Sequence, residues 1–266
     1  MVQEHNRTAA QVWSKGGIHY DGVSYAISDA LAHAAQRLWA RPGERILDIA
    51  TGTGWTARNV ARGGAQVTGV DIADDLLAAA RQLSAHVTPA IEFRHADAEA
   101  LPFDAASFDG AISTFGIMFA GDHVQAASEA ARVCRPGGRL ILATWVPDPD
   151  GYVTTFFGVV GKYSSAPPPT ASPMDWGRTE RVSELLGEHF DLIFESRDSM
   201  LYSPSSEDVW EEYQKGFGPI RALTDSLDER RRAEFQRNFL DFHERYRTDA
   251  GLTLPRRYLL TIAVRK

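Results

Sequence analysis

Residues 46–54 read ILDIATGTG, a buried-strand pattern that ends in an acid and breaks into glycines before a helical pattern begins. In doubly wound sheets, ligands bind beyond the carboxyl ends of the strands, and glycines let a ligand approach the backbone where a Cβ would collide. Continued through Ala57, the segment also satisfies the dinucleotide fingerprint G-x-G-x-x-A, which alone is a weak signal. The turn therefore predicts a ligand site and leaves the ligand open.

Strand-length hydrophobic runs alternate with helical patterns between residues 25 and 145, as is typical of repeated βαβ units and a parallel sheet. The five strands predicted there span residues 44–49, 66–70, 91–94, 107–113 and 139–145. Three helices of this region are predicted to end near Trp39 and to span residues 74–83 and 122–134. The pattern predicts a doubly wound α/β fold.

Patterns are weaker in the rest of the chain. Helices are predicted at residues 179–187, 205–216 and 228–247, and strands at 190–196 and 257–265. Periodicity lapses from Val146 to Thr179, where the run Pro167-Pro168-Pro169 predicts an irregular segment, either a lid over a site or a passive linker. One face of the last predicted helix carries aromatic side chains that favour core packing over a pocket wall: Phe235, Phe239, Phe242 and Tyr246.

Three acids follow three successive strands. Asp48 ends the first strand, where its carboxylate would repel the pyrophosphate of a dinucleotide but attract the sulfonium and amino groups of S-adenosylmethionine (SAM). Asp71 ends the second strand and can accept hydrogen bonds from ribose hydroxyls of either cofactor. Asp97 follows the third strand and can accept one from the adenine amino group. Together they favour SAM, and an NAD(P)-dependent oxidoreductase is the alternative.

Five motifs resemble those of class I SAM-dependent methyltransferases, and within that family the small-molecule and quinone enzymes of the UbiE type. They are LDIATGTG at residues 47–54, GVDI at 69–72, DAEALPF at 97–103, FDG at 108–110 and RVCRPGG at 132–138. The resemblance implies a Rossmann-like, doubly wound sheet of seven strands in the order 3-2-1-4-5-7-6, with the last strand antiparallel and helical cap elements.

The resemblance also implies a domain plan and a cofactor site. One domain would span residues 1–266, with a helical lid at 1–40, the SAM-binding core at 40–145, and an irregular and helical substrate cap at 146–250 before the sheet is completed by 251–266. Asp71 and Ile72 would hold the ribose, and Asp97 and Ala98 the adenine. The remaining cofactor residues would face the methionine end and the methyl group: Tyr20, Asp48, Ala50, Thr51, Gly52, Gly54, Ser113 and Phe115.

Methyl transfer is an in-line displacement, so alignment of the nucleophile contributes most of the catalysis and a base is optional. The candidate catalytic residues by position are His19, Tyr20 and His123, although His123 beside Asp122 also suits a capping pair on the surface. No histidine has metal-ligand spacing, so no metal is predicted. The aromatic content of the flanking regions favours an aromatic or hydrophobic acceptor, with O-, C- and N-methylation all open.

Composition narrows the partners. With 266 residues the chain fits one α/β core with an insertion, and its net charge of −7 disfavours a nucleic-acid substrate, because such surfaces need clustered Lys and Arg. We find no signal peptide and no apolar run of membrane-spanning length, and so expect a cytoplasmic monomer or homodimer that acts on a small molecule. A SAM-binding protein without catalysis is the non-enzymatic alternative.

Overall fold

One mixed β-sheet forms the centre of the molecule in a computed structural model, which describes residues 2–165 and 169–266. The strands are β1 (Arg45–Ile49), β2 (Gln66–Asp71), β3 (Glu92–His95), β4 (Phe108–Thr114), β5 (Cys134–Trp145), β6 (Phe190–Ser203), β7 (Arg247–Thr248) and β8 (Gly251–Arg265). The helices are α1 (Arg7–Ser14), α2 (Tyr20–Tyr25), α3 (Ser28–Leu38), α4 (Trp55–Ala61), α5 (Asp74–Leu83), α6 (His123–Val133), α7 (Tyr152–Gly161), α8 (Thr179–Leu186), α9 (Ser206–Gly216), α10 (Gly218–Ser226) and α11 (Glu229–Glu244).

The sheet has the strand order β3-β2-β1-β4-β5-β8-β6, and the short β7 pairs only with β8. Strands β1 to β5 pair in parallel, whereas β8 is antiparallel to both β5 and β6. The predicted order 3-2-1-4-5-7-6 is confirmed, with β8 as the predicted seventh strand and β7 as a two-residue addition. Strand order reverses between β1 and β4, which is where a doubly wound sheet opens a crevice for ligands.

Strand β1 is buried on both faces, as the central strand of a parallel sheet must be. Ile46, Leu47 and Ile49 are almost fully enclosed. Helix α3 packs beside α4, and α6 packs beside α8. Among residues 2–165 and 169–266, no helix is long and apolar enough to cross a membrane.

The segment from Val146 to Thr179 is more ordered than predicted. It contains helix α7, whose side chains Tyr152, Val153 and Phe156 are buried. Because α7 is apolar nearly all round, it lacks the polar face that gives a helix its sequence periodicity. Further on, the Thr144 hydroxyl donates to the Trp176 carbonyl at 2.7 Å and fixes that part of the segment. Of the predicted proline run, Pro167 and Pro168 lie outside the described residues.

Strands β6 and β8 extend further than predicted. Their pairing runs from Phe190 opposite Arg265 to Ser203 opposite Leu252, well past Trp145, where β5 ends. Pro255 lies inside the extension and argues against a strand in the sequence, because proline cannot donate to the ladder. The extension continues past the carboxyl edge of the parallel strands, which is the edge that carries the ligand crevice.

Candidate functional site

A cavity that is partly open to solvent lies at the carboxyl ends of the parallel strands, and we call it the main cavity. Nine of the twelve predicted cofactor residues border it: Tyr20, Ala50, Thr51, Gly52, Asp71, Ile72, Asp97, Ala98 and Phe115. The structure therefore brings together one site from residues that are far apart in sequence.

The glycine turn after β1 is held in conformations that side chains rarely adopt. Ala50, Gly52 and Gly54 all have positive φ, at 57°, 56° and 84°. A Cβ added to Gly52 would lie 3.3 Å from the Tyr20 ring. Glycine at 52 is therefore favoured by both φ and space, since a side chain there would be strained and close to the Tyr20 ring.

The Asp71 carboxylate ties the glycine turn to the loop after β2. One oxygen accepts from the Gly52 backbone N–H at 2.8 Å, and the other accepts from the Ala73 N–H at 2.9 Å. Burial raises the pKa of Asp71, while these backbone hydrogen bonds lower it. Each oxygen keeps a lone pair, so Asp71 can fix the turn and still accept from a ligand in the cavity that it borders.

Asp97 is bound by the N-terminal segment. Its Oδ2 accepts from the Gln3 backbone N–H at 2.9 Å and from the Asn6 amide at 3.0 Å, and its Oδ1 accepts from the Glu99 N–H at 3.0 Å. Asn6 also borders the main cavity, a role that no sequence signal indicated. A donor on a ligand at Asp97 would therefore share that carboxylate with Asn6.

Three predicted cofactor residues lie behind the wall of the cavity rather than on it. Asp48 is 0% exposed, and its Oδ2 accepts from the Thr51 hydroxyl at 2.6 Å. Burial raises the pKa of Asp48 to about 7, against the hydrogen bond from Thr51, which lowers it. The Ser113 hydroxyl donates to the Ile49 carbonyl at 2.7 Å and joins β4 to β1, and Gly54 caps α4. These residues build the turn, and the structure places none of them at the surface of the main cavity.

Of the three candidate catalytic residues, Tyr20 borders the main cavity and the two histidines do not. His19 is exposed. Asp122 caps α6 as predicted, accepting from two backbone N–H groups at 3.0 Å, but the surface location of His123 was wrong. His123 is buried, with its ring 5.6 Å from that of Trp176, and burial lowers the pKa of His123. A tertiary contact with a distant tryptophan thus decides its environment.

A second cavity adjoins the first, and we call it the aromatic cavity. The two share five wall residues: Trp13, Tyr20, Ile27, Phe115 and Phe119. Its other wall residues lie outside the five motifs, and most of them lie in the segment predicted as a substrate cap: Val23, Trp145, Tyr152, Val153, Phe156, Phe157, Tyr213, Phe217 and Arg256. Phe115 stacks on Trp145 at 3.8 Å between centroids and has a positive φ of 59°, so the junction holds a strained residue in place.

The protonation states of two tyrosines follow from burial. Burial raises the pKa of Tyr20, and the nearby Asp71 raises it further, so this phenol stays protonated at neutral pH. Burial likewise raises the pKa of Tyr152. The Tyr152 hydroxyl lies 2.9 Å from His243 Nε2, and His243 Nδ1 lies 2.7 Å from the Phe239 carbonyl. Since a carbonyl only accepts, Nδ1 carries the proton and Tyr152 donates to Nε2.

The aromatic face of α11 supports this wall from behind. Phe235, Phe239 and Phe242 are buried, and the Phe239 ring stacks on His243 at 4.1 Å. None of them borders either cavity. The core-packing interpretation of this face is confirmed.

The fold and the position of the main cavity at the carboxyl ends of the parallel strands are those of the methyltransferase class of α/β proteins. Residues 47–142 match the family described as "Methyltransferase domain". The uncharacterized protein Rv1403c of Mycobacterium tuberculosis is 36% identical over 194 residues, 70% of each chain. Demethylmenaquinone methyltransferase of Beutenbergia cavernae is 33% identical over 183 residues, which are 60% of this chain and 75% of that enzyme. The chain belongs to the class I methyltransferases of the UbiE type.

A solved structure extends the likeness in fold. Phosphoethanolamine N-methyltransferase 2 of Haemonchus contortus, in complex with phosphomonomethylethanolamine and S-adenosylhomocysteine, superposes with a TM-score of 0.53 at 20% identity. The match covers 85% of this chain and 49% of that one. This likeness concerns the fold alone.

Proposed function

We propose that this protein transfers a methyl group from SAM to a small aromatic or hydrophobic acceptor. One observation carries the proposal: a cavity bordered by the glycine turn and by two acids shares Tyr20 and Phe115 with a second cavity whose walls are mainly aromatic rings. The first suits a nucleoside and the second a flat apolar molecule. A solved structure of the same fold carries S-adenosylhomocysteine, which supports SAM as the methyl donor.

The residues of the main cavity fit SAM better than a dinucleotide. Asp71 and Asp97 offer carboxylate oxygens, which suit ribose hydroxyls and an adenine amino group. No lysine or arginine is among the described residues that border this cavity, so nothing there would neutralise a pyrophosphate. The carboxyl groups of Asp71 and Asp97, which do border it, would instead repel one when ionised. The proposal therefore prefers SAM to NAD(P).

When bound, SAM would supply an electrophilic methyl group. The chain's own part is to position and to exclude water, because methyl transfer depends mainly on alignment. Trp13, Phe115 and Phe119 border both cavities, so apolar rings line the boundary between the proposed cofactor and acceptor sites. Tyr20, which stays protonated, can donate a hydrogen bond but cannot act as a base.

Tyr152 is the polar group best placed to orient an acceptor. Its hydroxyl proton points to His243, so its oxygen can accept a hydrogen bond from an acceptor hydroxyl or amine in the aromatic cavity. Burial lowers the pKa of His243 to about 4, which makes it a weak base. We therefore assign Tyr152 a positioning role, with no base required for the transfer.

Two titrations and one activity assay test the proposal. We expect S-adenosylhomocysteine to bind at one site per chain in calorimetry and NADH not to compete with it. With isotopically labelled SAM, we expect methyl transfer to at least one member of a panel of phenols, hydroxyquinones and aromatic amines. Preferential binding of NADH would support the oxidoreductase alternative. Binding of S-adenosylhomocysteine with no transfer to any acceptor would support a SAM-binding protein without catalysis.

A further inference from the structure

Arg256 is the one charged residue among the described residues that border the aromatic cavity. It lies on the extension of β8, paired with Ser199 of β6, and is only 4% exposed. The other walls of the cavity are aromatic or aliphatic side chains. A buried guanidinium in such surroundings is costly unless a counter-ion accompanies it.

The chain supplies that guanidinium with few partners. Its Nη2 donates to the Ala26 carbonyl and, at 3.3 Å, to the Ser199 hydroxyl. Its Nε has no hydrogen-bond partner, and no carboxylate in the described ranges lies within 4 Å of the group. Asp29 is reached only through Ser199, whose hydroxyl donates to it at 2.7 Å. The positive charge is therefore left without a direct counter-ion.

The neighbouring arginine shows the contrast. Arg257 follows on the same strand, is exposed, and pairs with Asp198 at 3.2 Å. A surface arginine of this kind contributes little and tolerates change. Arg256 has the opposite combination of deep burial, a cavity beside it and unused donors. The guanidinium donors that Ala26 and Ser199 do not use can form a charge-assisted hydrogen bond to a carboxylate, which is stronger than one between neutral groups.

We infer that the acceptor of the proposed methyl transfer is an aromatic acid whose carboxylate pairs with Arg256 in the aromatic cavity. The inference rests on the proposed function, because it takes this cavity as the acceptor site. Arg256 borders the aromatic cavity and not the main cavity, so the carboxylate lies away from the transferred methyl group. The methylated atom is then a different group of the same molecule, and the carboxylate is not esterified.

Binding of a matched pair of probes tests this inference. Cinnamate and cinnamamide have the same ring and length and differ in charge, and their binding is followed by calorimetry with and without saturating S-adenosylhomocysteine. We expect cinnamate to bind about tenfold more tightly than cinnamamide. Arg256→Gln should abolish that preference while S-adenosylhomocysteine affinity is retained, and Arg256→Lys should retain part of it. Arg257→Gln is the matched control, with the same loss of charge at an exposed site and no effect expected.

The outcomes separate the two proposals. Equal affinity of the unmodified protein for both probes, or failure of both to bind, overturns the inference without any variant, so a folding defect in Arg256→Gln cannot obscure the answer. A preference that survives in Arg256→Gln overturns it as well. If S-adenosylhomocysteine binds but the preference is absent, only the inference fails. If the preference depends on Arg256 but S-adenosylhomocysteine does not bind, the proposed function fails and the anion site stands.

Discussion

Replacing Asp71 by alanine is the sharpest perturbation of the proposed cofactor site. The carboxylate holds the Gly52 and Ala73 backbone N–H groups at 2.8 and 2.9 Å and borders the main cavity. Alanine would remove both contacts and the acceptor for the ribose hydroxyls. Hydrogen bonds to a charged group contribute about 1.5–3 kcal/mol each. Loss of the hydrogen bonds between the ribose hydroxyls and Asp71 alone therefore predicts a roughly 100-fold rise in the dissociation constant of S-adenosylhomocysteine.

Calorimetric titration of purified variants with S-adenosylhomocysteine measures that change. Asp74→Ala is the matched control, because it removes the same charge three residues later from a side chain that is 79% exposed. We expect the control to bind within about twofold of the unmodified protein. Circular dichroism and thermal unfolding show whether Asp71→Ala is folded at the titration temperature. A folded Asp71→Ala variant with unchanged affinity would refute the assignment of the ribose contact.

Three further predictions concern the turn and two buried titratable groups. Gly52→Ala should weaken S-adenosylhomocysteine binding about tenfold in the same titration, because φ is 56° and the new Cβ would lie 3.3 Å from the Tyr20 ring; unchanged binding would mean that the turn does not touch the ligand. His243 has a pKa of about 4 in the folded protein, below its ordinary value, so the unfolded state binds more protons between those two values. The free energy of unfolding therefore decreases as the pH is lowered through that range. Urea unfolding should show that the decrease in the free energy of unfolding from pH 7 to pH 5 is about 2 kcal/mol smaller in His243→Gln than in the unmodified protein. An equal decrease in the two proteins would contradict this. For Asp48 the pH dependence has the opposite sign, because its pKa of about 7 in the folded protein lies above the ordinary value and the free energy of unfolding decreases as the pH rises toward 7. Asp48→Asn should remove this dependence in the same unfolding experiment. A decrease that persists in the variant would contradict its assignment to Asp48.

The core of the fold could be predicted because its signals are local. Each signal lies within a few residues of the element that it predicts: the strand pattern of residues 46–49, the glycines after it, and the acids Asp71 and Asp97 at later strand ends. The parallel order of the strands then brings these residues to one edge of the sheet. The sequence could not show that Asp48 is buried behind the cavity wall, where its carboxylate accepts a hydrogen bond from Thr51.

The walls of the aromatic cavity depend on tertiary structure instead. Helix α7 has no polar face to reveal it, and Pro255 argues against the strand that positions Arg256. The contact between Asn6 and Asp97 joins residues 91 positions apart, and no sequence motif predicts that these two residues are in contact. Such features arise only after the helices and the long β6–β8 pair have packed against the sheet.

A crystal structure of the protein grown with S-adenosylhomocysteine would test the central claim most directly. We predict density for the adenosyl group in the main cavity, with the ribose hydroxyls within hydrogen-bonding distance of the Asp71 carboxylate. The sulfur should lie beside Phe115, where the main cavity adjoins the aromatic cavity. Adenosyl density at any other place, or an empty main cavity in crystals grown at saturating ligand, would contradict the account.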